Sequence, residues 1–422
     1  MVLKARLLRF YLLAVLAVLL VGGILDQGLV PAFAGFIRLQ VTPARLVSDF
    51  IAIEGVGSTF FNVAAVGLLG VGFLGLVGLD LSGAALAALF TMMGFAFFGK
   101  TVFNCVPIII GVSISALIVR KKPRDYSLIA MFGTAMGPLI TFIAFELGLP
   151  KEYALPGSFL IGILVGIAMP PIAIAMLRLH QGYNLYNVGL TAGFLGLFTA
   201  SISHSAGADI LLRTTWGTDY YLSTVIIVPL LSLLALAAAF GTRGRALRST
   251  ILGVFNDQKA ILALTGRLPS DFADRISTRG ALLNSGLMGL LYWCMMLVIG
   301  APFNGPVLGG LFTIMGFSFF GKHPKNTIPV VIGILLAILL FDKNMLAPAP
   351  LLAILFGTAL APLAGEFGPV IGIVAGFLHM VLVERTGVWH GGMDLYNNGF
   401  AAGLTATLIV SIIDWYKSQS NR

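Results

Sequence analysis

The 422 residues are 58% hydrophobic and only 10% charged, with a mean hydropathy of +0.99, which excludes a water-soluble globule and points to an all-α integral membrane protein. The net charge of +9 does not indicate nucleic acid, because the basic residues sit in short loops between apolar spans, where membrane topology puts them. Two cysteines, Cys105 and Cys294, both in apolar runs, read as small core residues and make neither a disulfide framework nor a metal site.

Along the chain, seven apolar segments bounded by Gly, Pro, Asn or charge fall at roughly 8–25, 58–79, 82–98, 104–119, 127–147, 157–178 and 185–203. Seven more fall at roughly 221–240, 280–300, 305–320, 327–341, 350–365, 369–383 and 395–414. Several are only about 15 to 18 residues long, short for a helix crossing about 30 Å of hydrocarbon. The expectation is therefore about 10 to 14 crossings, some of them re-entrant half-helices. The basic start, the apolar stretch from Tyr11 to Leu25 and Ala32-Phe33-Ala34 resemble a cleavable signal. The matching place in the second half holds Tyr221 to Phe240, which no signal peptidase removes, so the first segment reads as a retained helix.

The second set of segments repeats the first. From Arg45 to Val119, every residue lies on the one 222 positions later without a gap, and 27 of 75 pairs are identical. The identities bunch at Leu89–Lys100 against Leu311–Lys322, continue at Phe132-Gly-Thr-Ala against Phe356-Gly-Thr-Ala, and end at His180–Gly189 against His390–Gly399. A doubled unit of this length suits a two-halved membrane protein. The chain divides into residues 1–205 as the first repeat, 206–241 as the helix opening the second, 242–279 as a basic cytoplasmic loop, and 280–422 as the remainder. Loop charge gives the orientation. Arg120–Arg124 is strongly basic while its counterpart Phe341–Asn344 is neutral, and Arg243–Arg279 is basic while its counterpart around Arg38–Glu54 is balanced. If basic loops stay inside, the two repeats are inverted and both termini are cytoplasmic.

Two constellations, each present in both halves, carry polar chemistry. The first is Gly99-Lys100-x-x-x-Asn104-x-x-Pro107 with Gly321-Lys322-x-x-x-Asn326-x-x-Pro329, which reads as helix–break–helix: glycine and a cation end one helix, and asparagine followed by proline starts the next. Either this is a tight loop at the membrane surface, or the break lies within the membrane and its free backbone groups, with Lys100 and Lys322 as anion or dipole partners, replace a solute's hydration shell. The second runs from His180 through Asn184, Tyr186 and Asn187 to Gly193, repeated as His390, Asp394, Tyr396 and Asn397 to Gly403. Its Gly189/Gly193 and Gly399/Gly403 pairs have the spacing of close helix packing. Asn184 and Asp394 are good N-cap residues, yet amides and a phenol at the mouth of an apolar helix also suit a solute-lined path. Tyr186, Asn187, Tyr396 and Asn397, with Asn184, Asp394, Asn104 and Asn326, are the expected substrate contacts.

Among single ionisable groups, Glu146 and Glu366 end corresponding segments and are candidate coupling-ion sites, or solvated acids at the interface. His204, His379 and Asp209 lack counterparts in the other half. No phosphate loop, metal motif or nucleophile constellation is present, so neither a cofactor nor enzymatic activity is expected. The doubled Gly-Phe-x-Phe-Phe-Gly-Lys and Asp/Asn-Leu-Tyr-Asn-x-Gly elements resemble a bacterial family of multi-pass membrane proteins of unknown function, a resemblance that implies a bacterial inner membrane and no activity. Gly182-Tyr183-Asn184 before a small-residue helix is also similar to urea transporters. The second half departs from that pattern with Gly392-Met393-Asp394, and the proline-containing selectivity boxes of that family are missing, so this likeness implies a fold more than a substrate. The expectation is a transporter or channel for a small polar solute or ion, bearing on lipid and no nucleic acid and compatible with a homo-oligomer. The rival class is an intramembrane enzyme or a membrane scaffold for a partner protein.

Overall fold

A computed structural model describes residues 2–208, 210, 212–241 and 247–420. Asp209, and Arg243, Arg245 and Arg422 of the basic segments, lie outside the described residues. The first half contains α1 (Val2–Gln27), α2 (Leu29–Gln40), α3 (Phe50–Glu54), α4 (Val56–Val77), α5 (Gly83–Phe95), α6 (Val102–Ile118), α7 (Ser127–Gly133), α8 (Gly137–Phe145), α9 (Lys151–His180) and α10 (Asn187–Ser205). The second half repeats the order: α11 (Leu222–Phe240), α12 (Leu247–Leu262), α13 (Phe272–Arg275), α14 (Thr278–Ile299), α15 (Gly305–Phe317), α16 (Pro324–Leu340), α17 (Pro348–Phe356), α18 (Ala361–Phe367), α19 (Pro369–Trp389) and α20 (Asn397–Ser420). The described residues hold helices and no strand, as the composition requires.

Nine spans among the described residues are long and apolar enough to cross a bilayer. Four expected segments are shorter: α5 and α15 have 13 residues each, α6 and α16 have 17 each. One element pair was not legible in the hydropathy. Residues 242–279, expected as a loop, contain α12 and α13, and the corresponding stretch of the first half contains α2 and α3. Both α2 and α12 lie against the long helix of their own half, α4 and α14. Cys105 is buried, but Cys294 is exposed, contrary to a core role.

The centre of the molecule is the pair α5 and α15. Each is apolar on all sides, and such a helix is stable only when surrounded by protein or lipid; here all residues of α15, and all of α5 but Ala84, are buried. Each starts on a side-chain cap, Ser82 accepting from the Ala85 amide and Asn304 from the Val307 amide. They run antiparallel and touch backbone to backbone: a Cβ on Gly94 would lie 2.6 Å from the Gly309 carbonyl oxygen, and one on Gly309 would lie 2.5 Å from that of Gly94. Glycine is required at both places.

Contacts between the halves are exchanged in pairs. The Phe50 amide donates to the Phe97 carbonyl, and Phe272 does the same to Phe319. Asp49 accepts from the Gly305 amide at the start of α15 (3.0 Å), and Asp271 accepts from the Ala84 amide at the start of α5 (3.1 Å). Each carboxylate thus sits at the positive end of the other half's central helix, where a negative charge is stabilising. The two halves thus make the same contacts on each other in both directions.

Candidate functional site

The two breaks follow α5 and α15. Gly99 (φ 151°) and Gly321 (φ 102°) take backbone angles that side chains disfavour, and the chain passes Lys100 and Lys322 before α6 and α16 begin. Asn104 closes the first break: its Oδ1 accepts from the Thr101 amide (2.9 Å) and its Nδ2 donates to the Gly99 carbonyl (2.9 Å). Asn326 does the same with the His323 amide (3.0 Å) and the Gly321 carbonyl (2.9 Å). Both asparagines were expected as solute contacts. They are placed instead as caps whose amides are spent on the break.

A second asparagine pair, not singled out in the sequence, braces each break from the neighbouring helix. Asn62 of α4 donates to the carbonyls of Ala96 and Lys100 (both 2.8 Å), and Asn284 of α14 donates to those of Ser318 (2.7 Å) and Lys322 (2.8 Å). Behind them Gln40 and Gln258 each donate to the asparagine Oδ1 at 3.1 Å. Asn62 and Asn284 occupy equal positions in the 222-residue register, inside apolar segments; an amide buried there needs a partner, and that was the available signal.

Each break meets the Leu-Tyr-Asn element of the opposite half. A Cβ on Gly99 would fall 2.6 Å from the Leu395 side chain, and one on Gly321 would fall 2.7 Å from that of Leu185. The amides of Leu395 and Leu185 donate to the carbonyls of Ala135 and Ala359, each 3.0 Å. Lys100, fully buried, donates to the Tyr396 hydroxyl at 2.5 Å and lies 4.5 Å from that ring's centre. Lys322, equally buried, donates to the Tyr186 hydroxyl at 2.6 Å and to Thr358 Oγ1 at 2.7 Å, 4.6 Å from the Tyr186 ring centre.

These tyrosines face a cavity of about 610 Å³, within the usual size of a small-molecule site. Its wall is built from equivalent residues of both halves: Thr91 and Thr313, Phe95 and Phe317, Phe98 and Phe320, Phe132 and Phe356, Leu185 and Leu395, Tyr186 and Tyr396, Gly189 and Gly399. Symmetry fails at the ends. On one side the lining includes Arg178, Gln181, Arg267 and Pro269, of which Arg178, Gln181 and Pro269 are exposed. Arg45 and Arg267 are equivalent, and so are Gly391 and Gln181. Arg267 donates to the Gln181 carbonyl (2.9 Å) beside the cavity, whereas Arg45 donates to the Gly391 carbonyl (2.8 Å) outside its lining and is tied to Glu146.

The remaining expected contacts divide. Asn187 lines the cavity, but its Oδ1 meets His180 Nε2 (2.9 Å) and its Nδ2 donates to the Ala173 carbonyl (3.2 Å). Asn397 makes the same bonds to His390 (3.0 Å) and the Val383 carbonyl (3.1 Å), also accepts from Thr386 (2.6 Å), and is absent from the lining. This string therefore ties α10 to α9 and α20 to α19. Asn184 and Asp394 lie behind the wall, each accepting from the tyrosine amide two residues on, at 2.9 and 2.7 Å. Asn184 completes its bonding by donating to the Gly399 carbonyl (3.0 Å), whereas Asp394 Oδ2 is buried without a hydrogen-bond partner among the described residues. Glu146 is buried in its ion pair with Arg45 (2.9 Å), and Glu366 is exposed, so the two acids are not equivalent in space. His204 is exposed; His379 is buried against Asn398 (3.1 Å). Gly189 and Gly399 pack α10 on α20, a Cβ on Gly189 falling 2.8 Å from the Gly399 Cα.

Asp394→Asn should stabilise the fold by on the order of 1–3 kcal/mol, because an amide there can donate as its twin Asn184 does. A thermal midpoint below that of the native protein would refute this, and would mean that the charge interaction between Asp394 and Lys100 outweighs the unpartnered oxygen.

No curated protein and no solved structure matches this chain. A family model does, over residues 30–205 and 251–415, and so covers most of both halves. The chain therefore belongs to the family DUF1576, described as proteins of unknown function, in keeping with the multi-pass architecture of its helices.

Proposed function

We propose that this protein is a membrane carrier that moves a small solute through the central cavity by alternating access between two inverted repeats. The observation that carries the reading is the cavity itself, whose wall is made of equivalent residues from both halves while its two ends differ. Inverted-repeat transporters bind at the repeat interface beside interrupted helices and expose the site to one side at a time. The tyrosines of both copies of the second motif line the cavity, with the lysines of both copies of the first directly behind them, which favours a carrier over an enzyme, whose chemistry needs one asymmetric polar pocket.

The charge pattern of the loops supports the same assignment. Counting crossings from a cytoplasmic N-terminus in the bacterial inner membrane puts Arg178 and Arg267 on the cytoplasmic side, and Arg45, Glu146, Arg213 and Gly391 on the opposite side. On this reading the described conformation faces the cytoplasm. Arg45, held by Glu146 and Gly391, closes the far end, and Arg213 lies 3.6 Å from the same carboxylate.

Two experiments test the proposal. Single cysteines at Asn344 and Lys122, in a protein lacking Cys105 and Cys294, should differ in reactivity toward an impermeant maleimide added to intact cells: the first labelled, the second protected. Labelling of both from the same side would end the inverted reading. Purified protein in proteoliposomes should pass at least one member of a panel of small neutral, anionic and cationic solutes. Folded protein that leaves the permeability to every member unchanged would end the carrier reading.

A further inference from the structure

We infer that the solute is an amphipathic organic anion: an apolar, ring-sized body carrying one carboxylate-like group, with the charged end received by the Tyr186 and Tyr396 hydroxyls. The inference rests on the carrier reading of the same cavity and names its substrate class.

The body of the ligand follows from the wall. Phe95, Phe98, Phe132 and their three counterparts surround the space, and apolar surface placed there is removed from water, which is favourable in proportion to its area. A solute with polar groups on every side would forfeit its hydration against these rings.

The charged end follows from the two lysines behind the wall. Among the described residues neither Lys100 nor Lys322 has a carboxylate within ion-pairing distance, although both side chains are fully buried. Each instead donates a hydrogen bond to the phenol oxygen of the opposite half. A tyrosine hydroxyl has a single hydrogen and an oxygen that accepts. With the oxygen occupied by the lysine nitrogen as donor, the hydrogen is the group left to offer. Neither phenol gives that hydrogen to a backbone carbonyl or a carboxylate of the described residues; the Tyr186 hydroxyl has the Thr358 hydroxyl beside it, which a bound acceptor would displace as partner, and Tyr396 has no such neighbour among the described residues. Two such hydroxyls, one from each half, form a donor pair suited to an acceptor-only group, and a carboxylate is such a group.

The route in agrees with this. Among the described residues the lining carries Arg178 and Arg267 and no acidic side chain, so it favours anions over cations as a charged funnel does. Asp394, with its unpartnered oxygen, lies behind the wall on the Lys100 side. The Lys322 side has no such acid among the groups acting on it. Two buried lysine nitrogens thus face a single carboxyl group behind the wall, and an anion bound between the two hydroxyls would supply the countercharge that an ammonium there otherwise lacks.

The test uses the full chain in detergent and calorimetric titration with phenylacetate, phenylacetamide and phenethylamine, which share a body and differ in charge. Phenylacetate should bind about tenfold more tightly than the amide, and the amine should bind least. Tyr186→Phe/Tyr396→Phe, which keeps both rings, should abolish the preference for the carboxylate while leaving weak binding of the amide; Lys322→Met should act in the same direction. Equal or tighter binding of the amide, no binding of any of the three at millimolar concentration, or an unchanged preference in the double variant would overturn the inference. Flux measured in proteoliposomes separates it from the carrier reading. Phenylacetate that binds but does not cross removes the carrier and keeps the anion site, and passage of the amide without phenylacetate does the reverse.

Discussion

Glu146→Leu is expected to lower stability by about 3–5 kcal/mol, the cost of leaving a buried charge without its partner. Arg45 and Glu146 expose only 3% and 7% of their side chains, and the guanidinium meets the carboxylate at 2.9 Å. Arg45 has little else to compensate it: one bond to the Gly391 carbonyl and the Phe142 ring 4.3 Å away. Arg213 cannot take over the role of Glu146, being itself a cation and 68% exposed, and its own pairing with that carboxylate is worth little. Removing both charges, as Arg45→Met/Glu146→Leu, should recover most of the loss, because the desolvation penalty disappears with the pair. Thermal unfolding in one detergent reads both variants. A single variant as stable as the native protein would mean that the ion pair does not hold this end of the molecule closed. A double variant no better than the single would mean that Arg45 acts mainly through Gly391.

Asn284→Leu should be at least as damaging as Glu146→Leu, with Asn62→Leu close to it. The Asn284 amide satisfies the Ser318 and Lys322 carbonyls at the break and is itself held by Gln258. Its loss leaves two buried acceptors and one donor unpartnered, at about 1–3 kcal/mol for each group. Asn104→Leu, by contrast, removes a cap of the kind worth about 0.5–2 kcal/mol. The expected order of thermal midpoints is therefore native, then Asn104→Leu, then the two brace variants. An Asn284→Leu protein that melts above Asn104→Leu would show that the breaks are held by their own caps and not from α4 and α14.

The sequence alone determines the architecture of each half, because the forces that set it are local. Apolar runs fix where α1, α4, α9, α11, α14 and α19 lie; Gly99 and Gly321, followed by Asn104 and Asn326, fix where the central helices stop and restart, since a cap and a backbone turn involve neighbours within a few residues. The register of 222 residues fixes that the halves are copies. Helix α2 escaped notice because it is a short helix set off from α1 only at Gly28, and α12 because its polar residues resemble a loop. Tertiary structure alone decided which polar groups meet. Lys100 and Tyr396 lie 296 residues apart, and no spacing rule links them; they are joined because each break packs on the other half's tyrosine element. It also separated residues that the repeat treats as equal. Asn187 lines the cavity and Asn397 does not, and Arg45 is sealed by Glu146 while Arg267 borders open space, since the two halves share a local code but stand in different surroundings. Burial and partnership are properties of the whole packing, which a repeated string of residues does not contain.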